Sequence, residues 1–106
     1  MISISLCMIV KNEEDILARC LDSVKELVDE IVIVDTGSTD GTKKAAAQYT
    51  DKIFDFVWQD DFAAARNFAF RKGSKDYLMW LDADDVIPVK EAEKFREMKK
   101  SISENV

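Results

Sequence analysis

A chain of 106 residues, 47% of them hydrophobic, has the material for one core and so for one domain. Its 21 acidic against 15 basic residues leave a net charge of −6, which excludes the basic face of a nucleic-acid binder but not an anionic ligand held through a metal. The chain has no histidine, which excludes histidine general bases, histidine metal ligands and Ser-His-Asp triads.

Cys7 and Cys20 form no Cys-x-x-Cys pair and sit in apolar patterns, so two reduced, buried thiols are expected. The first ten residues are apolar but too short to span a bilayer, and they lack a basic start and a cleavage site. The expected location is the cytoplasm, with the inner face of the membrane as the alternative place.

Residues 2–10 begin in alternation and end as an apolar run, the pattern of a strand entering a core. Asn12 follows as a candidate helix cap, with Asp15 as its box-like partner. Glu13, Glu14 and Asp15 suit the positive end of the helix dipole, and Glu13 also stands at the mouth of the first β–α turn. Ile16, Leu17, Cys20, Leu21, Val24, Leu27 and Val28 recur at helical spacing. Residues 31–34 are β-branched throughout and predict a second buried strand. Asp35 and Thr36 end it; Gly37 permits a sharp turn, and Ser38, Thr39 and Asp40 can cap a helix reaching about Tyr49. The spacing of Gly37, Gly41, Thr42 and Lys43 does not make a phosphate loop.

Residues 52–58 alternate and predict a third strand. Asp60 and Asp61 then cap a helix over residues 62–70, whose small alanines let it lie close to a sheet. Arg66 on that helix either pairs with Asp60 or Asp61 or reaches a phosphate or base. Gly73 suits a left-handed helix cap. Residues 77–81 read as a buried strand running straight into Asp82, Asp84 and Asp85. Clustered carboxylates repel one another unless a cation sits among them, which points to a divalent-metal site; the plainer alternative is that Asp84 or Asp85 caps the next helix. Pro88 suits the first turn of that helix, with Val89, Ala92, Phe95, Met98 and Ile102 as its apolar stripe, and residues 101–106 read as a frayed end.

The β-α alternation predicts an α/β fold: a three-layer, Rossmann-like open sheet, mainly parallel, in strand order 3-2-1-4. That order brings the loops around Lys11–Glu13, Asp35–Asp40 and Asp82–Asp85 to one crevice.

Residues 7–14 (CMIVKNEE), 29–42 (DEIVIVDTGSTDGT), 60–67 (DDFAAARN) and 81–85 (LDADD) resemble four consecutive blocks of the family 2 glycosyltransferases, inverting enzymes of the GT-A fold. The wording is nearest to bacterial members often fused to helical repeats, and the resemblance spans residues 2–88. It implies a nucleotide-sugar donor, usually a UDP-sugar, with Mn2+ or Mg2+. It implies donor binding by Ile9, Val10, Lys11, Asn12, Glu13, Asp35, Thr36, Arg66 and Asp82, with Asp35 helping to hold uracil. Asp84 and Asp82 become the metal-binding Asp-x-Asp pair, Asp82 also reaching ribose or a metal-bound water. Many relatives carry two aspartates where Asp35 and Thr36 stand, so the base contact differs here. The family places its catalytic base further along the chain than Val106, so no catalytic residue is assigned. Residues 1–106 are expected to be the donor-binding part of a truncated transferase domain. The acceptor, whether glycan, lipid or protein, is not specified, and the sheet edge left open invites self-association. The alternative is a stand-alone nucleotide or nucleotide-sugar binding module. A nucleotidyltransferase would want glycine in the loop after the first strand, where residues 11–14 have none.

Overall fold

The computed structural model describes residues 3–84 and 89–105. Along it alternate β1 (Ile4–Val10), α1 (Leu17–Val24), β2 (Glu30–Asp35), α2 (Thr42–Ala46), β3 (Ile53–Asp55), α3 (Phe62–Lys72), β4 (Tyr77–Trp80) and α4 (Val89–Asn105). The strands form one four-stranded sheet, ordered β3-β2-β1-β4 as expected, with every pairing parallel. Parallel neighbours need crossovers, and the helices that make them cover both faces.

Side-chain alternation along the central strands sorts the core into two layers. Leu6, Met8 and Val10 of β1 and Ile31 and Ile33 of β2 pack with Leu17, Cys20, Leu21 and Val24 of α1 and with Ala46 of α2. Cys7, Val32 and Val34 face the other way, onto Ala69 of α3 and the rings of Phe54, Phe68 and Trp80. Ala65 and Ala69 are fully buried, so α3 does lie close on the sheet. Both cysteines are buried thiols; burial first, and then the nearby charge of Glu30, raise Cys7 to about 11. α4 is fastened beside α1 by polar contacts, Arg96 to Glu26 at 2.8 Å and Lys99 to Asp29 at 3.0 Å.

Several boundaries differ from the sequence reading. α1 starts at Leu17 without a side-chain cap, because Asn12 turns left-handed (φ 53°) and faces the next loop instead. α2 stops at Ala46 and closes through tight turns to Tyr49. β3 pairs only over Ile53–Asp55. Gly73 is extended (φ −73°, ψ 136°), not left-handed, and a Cβ there would press on Leu78 Cδ2 at 2.6 Å and on Ser5 Cβ at 3.2 Å. α4 continues through Asn105, where fraying was expected. The expectations for Asp85 and Pro88 lie outside the described residues.

At the amino end of β2, one buried carboxylate ties the sheet together. Glu30 Oε1 accepts from Ser5 Oγ (2.6 Å) and from Ser74 N (2.8 Å). Its Oε2 accepts from Ser74 Oγ (2.8 Å) and pairs with Lys52 Nζ. Burial alone would push this carboxyl up; Lys52, Ser5 and Ser74 outweigh it and bring Glu30 from 4.5 down to about 2. Removing the carboxylate leaves Ser5 Oγ, Ser74 N and Ser74 Oγ without their acceptor, whereas Lys52 can turn to solvent. Glu30→Ala is therefore expected to cost about 3 kcal/mol in urea denaturation. A lowered folded-state value also fixes the sign with pH: the stabilisation is complete above 4.5 and is lost as pH falls towards about 2. Glu30→Gln should flatten that part of the acid-denaturation curve; an unchanged acid limb would show that the carboxylate contributes nothing there.

Candidate functional site

β1 lies between β2 and β4, where the direction of strand addition reverses. In open α/β sheets the ligand crevice forms outside the carboxyl ends of the strands at such a reversal. The loops after β1 and β2 meet there and are stitched by hydrogen bonds. Thr36 donates through both N (3.0 Å) and Oγ1 (3.3 Å) to the carbonyl of Val10. Asn12 N donates to Ser38 Oγ (2.9 Å), and Asn12 Oδ1 accepts from Thr39 N (2.8 Å). Glu13 N donates to Thr42 Oγ1 (2.8 Å), and Glu14 N to Asp40 Oδ2 (3.3 Å).

Asp35, the last residue of β2, is the electrostatic centre of this end. It is only 1% exposed. Its Oδ1 accepts from Gly37 N (2.9 Å) and Ser38 N (2.8 Å). Its Oδ2 is buried and has no protein partner among the described residues. Burial pushes the carboxyl up, but the Ser38 hydroxyl and N–H, the Gly37 N–H and the charge of Lys43 hold it below the usual carboxylate range. Asp35 is thus an ionised carboxylate presenting one unused acceptor oxygen, and such an atom is costly to bury unless something donates to it.

The turn after β4 brings two more carboxylates to the same end. Asp82 and Asp84 are exposed and flank the buried Ala83. Cys20 Sγ of α1 donates to the Asp82 carbonyl at 3.6 Å, fixing the start of the turn to the body. Among the described residues no three metal-ligating side chains converge. Two hard-oxygen ligands still fit Mg2+ or Mn2+, because Mg2+ commonly binds through one or two carboxylates and takes its other ligands from phosphates and water.

The other expected donor residues are placed unevenly. Val10 is buried in the core and its carbonyl is taken by Thr36, so its side chain faces no ligand. Ile9 is half-buried against the α3 layer, and Lys11 is exposed. Glu13 is half-buried; its carbonyl accepts from Leu17 N (2.9 Å) and opens α1. Arg66 is exposed on α3, with its guanidinium 5.9 Å above the ring of Phe62, and among the described residues it pairs with neither Asp60 nor Asp61. Asp61 does cap α3, accepting from Ala64 N at 3.1 Å. Ser38, Thr42 and Cys20 hold the site together, but their sequence patterns mark them only as caps or core. An open groove of about 320 Å³, lined by Lys25, Asp29, Gln48 and Tyr49, lies at the amino end of β2, away from these carboxylates.

The sheet order and the reversal at β1 make a Rossmann-like half-domain of the GT-A glycosyltransferase fold. The chain belongs to glycosyl transferase family 2, whose profile matches residues 5–101. It is 47% identical over 85 residues to a TPR repeat-containing protein of Synechococcus elongatus, covering 80% of this chain and 21% of that one. It is 31% identical over 86 residues to the SPbeta prophage-derived glycosyltransferase SunS of Bacillus subtilis, covering 79% of this chain and 20% of SunS. Among solved structures, S. aureus TarS 1-349 superposes with a TM-score of 0.78 at 21% identity, covering 96% of this chain and 32% of TarS. M. tuberculosis glucosyl-3-phosphoglycerate synthase, solved with Mn2+ and UDP-glucose, superposes with a TM-score of 0.68 at 24% identity, covering 82% of this chain and 35% of that one. The chain therefore spans a fifth to a third of the length of these relatives.

The turn that feeds Asp35 depends on Gly37, whose φ of +115° lies where side-chain-bearing residues are strained. Gly37→Ala is expected to lower stability by about 1–2 kcal/mol. Thermal unfolding measures this; an unchanged melting temperature would mean that the turn relaxes without cost.

Proposed function

We propose that this chain is the donor-binding part of a glycosyltransferase that takes its sugar from a nucleotide-sugar, with a UDP-sugar as the expected donor. The observation that carries the reading is the buried, ionised Asp35 with one unused oxygen at the carboxyl end of β2. A base with a ring N–H, such as uracil, supplies the donor this oxygen lacks. Thr36 has its hydroxyl engaged with Val10, so Asp35 acts there without a second carboxylate beside it.

In this reading Asp84 and Asp82 hold a divalent cation, Mn2+ or Mg2+, with Asp82 also turned to ribose or a metal-bound water. That cation supplies charge neutralisation for the departing diphosphate. Lys11, at the mouth of the first loop, and Arg66, on the first turns of α3, are the cationic side chains nearest the crevice ends of their elements and serve the phosphates or base. Ile9 lines the base side. The glycosyltransferase SunS and the structural relative solved with UDP-glucose support the donor class. None of the described residues is assigned to deprotonate an acceptor, so this chain by itself is expected to bind donor and transfer little.

Calorimetry with UDP tests the reading. Binding should be weak without metal and stronger with Mn2+, and Asp84→Ala should remove the metal dependence. Asp35→Asn should weaken UDP about tenfold or more, as the loss of a charge-assisted hydrogen bond implies. UDP binding indifferent to Mn2+ and to Asp84→Ala would overturn the metal assignment. Sugar transfer at ordinary enzymatic rates by the 106-residue chain would overturn the division between donor and acceptor functions.

A further inference from the structure

We propose that Asn12 and Ser38 are positioning residues: together they lock the turn after β2 so that Asp35 keeps Oδ1 engaged and Oδ2 turned to the donor base, and neither touches the donor itself. The inference rests on the donor-binding reading above and assigns within it two polar residues at the crevice. Asn12 is exposed near the start of the first loop, where its sequence position suggests a ligand contact. Its amide oxygen, however, accepts from Thr39 N at 2.8 Å and from Thr39 Oγ1 at 3.4 Å, and its own N–H is held by Ser38 Oγ at 2.9 Å. Ser38 in turn donates its N–H to Asp35 Oδ1 at 2.8 Å. A chain of donors therefore runs from Asn12 through Ser38 to Asp35.

The backbone of Asn12 belongs to the same device. Its φ of +53° is one that asparagine tolerates far better than most side chains. That conformation aims its N–H at Ser38 while its side chain reaches past Ser38 to Thr39. An alanine would lose the acceptor and sit in a strained conformation; a glycine would keep the conformation and lose the acceptor; an aspartate would keep both. The charged groups around Asp35 are Lys43 of α2 and Asp55 of β3, which pair with each other, while β1 contributes the uncharged Val10 opposite Asp35. Neither charged group changes when Asn12 or Ser38 is substituted, so the Asp35 carboxyl reports directly on the lock.

The experiment follows the Asp35 carboxyl by carbon-13 NMR through a pH titration of the 106-residue chain, in parallel with UDP calorimetry. Ser38→Ala and Asn12→Ala should each move the Asp35 midpoint upward and weaken UDP by roughly three- to tenfold, the scale of one lost neutral hydrogen bond. Ser38→Thr should restore both values towards wild type. Asn12→Gly replaces Asn12→Ala should the alanine variant not fold. Asp35 midpoints unmoved in Ser38→Ala and Asn12→Ala would overturn the proposal. So would an Asn12→Gly variant that loses UDP while its Asp35 midpoint stays at the wild-type value, because that would place the amide on the donor. If instead the midpoints shift as expected but Asp35→Asn binds UDP normally, the lock stands and the base-binding reading fails.

Discussion

Burying a charged oxygen is the constraint around which this molecule is arranged. β2 carries an ionised carboxylate at each end, Glu30 at the amino end and Asp35 at the carboxyl end, and both are at most 8% exposed. Desolvation opposes the charge in both cases, and in both hydrogen-bond donors outweigh it. The difference lies in completeness. Both oxygens of Glu30 are matched, by Ser5, Ser74 and Lys52, and the result joins β1, β2, the approach to β3 and the approach to β4. Only one oxygen of Asp35 is matched. The same chemical group on the same strand thus serves as a clasp at one end and as an open acceptor at the other. Folding explains the first without remainder, and the second is open to a donor from outside the chain.

The strands, their order and the sides on which the helices lie were legible in the sequence. Long apolar runs at residues 2–10 and 31–34 leave little choice but buried parallel strands, and β-α alternation with right-handed crossovers does the rest. The acidic turn after β4 was legible because carboxylates at the end of an apolar run are hard to explain otherwise. Helix starts were less so. Asn12 has the composition of a cap, but capping depends on whether its side chain turns back to its own helix or across to another loop, and that choice is made by Ser38 and Thr39, 26 and 27 residues away. Gly73 differs for a similar reason: its φ is ordinary, and what lies against it is Ser5 of β1 and Leu78 of β4. The exchange of a second aspartate for Thr36 was visible, but its consequence needed the structure, which gives the hydroxyl to the Val10 carbonyl.

The two kinds of carboxylate at the crevice call for different partners. Asp35 is buried, preorganised and already ionised, so it suits a neutral donor group of fixed geometry. Asp82 and Asp84 are exposed and are not gathered with a third ligand among the described residues, so they suit a cation that completes its shell from elsewhere. On the proposed reading one ligand satisfies both conditions, because its base and its phosphates are covalently joined. Each end then raises the effective concentration of the other, and a chain with a net charge of −6 can take up an anion without a basic surface.

Backbone conformation marks the same end of the sheet. The positive-φ residues among those described are Asn12, Gly37 and Asp60, and each lies in the loop that follows the carboxyl end of β1, β2 or β3 respectively. None lies at the amino ends, where the Glu30 clasp sits. A strand that must reverse at once into a helix can do so with ordinary turns, so left-handed residues are not demanded by connectivity alone. Two of the three carry side chains, at a cost that glycine would avoid. At Asn12 the return is the pair of bonds to Ser38 and Thr39; at Asp60 it is the Trp58 indole N–H, held at 3.1 Å next to the Asp61 cap of α3. Strain is therefore placed where side chains must be aimed, at the same end of the sheet as the Asp35 oxygen that lacks a donor among the described residues.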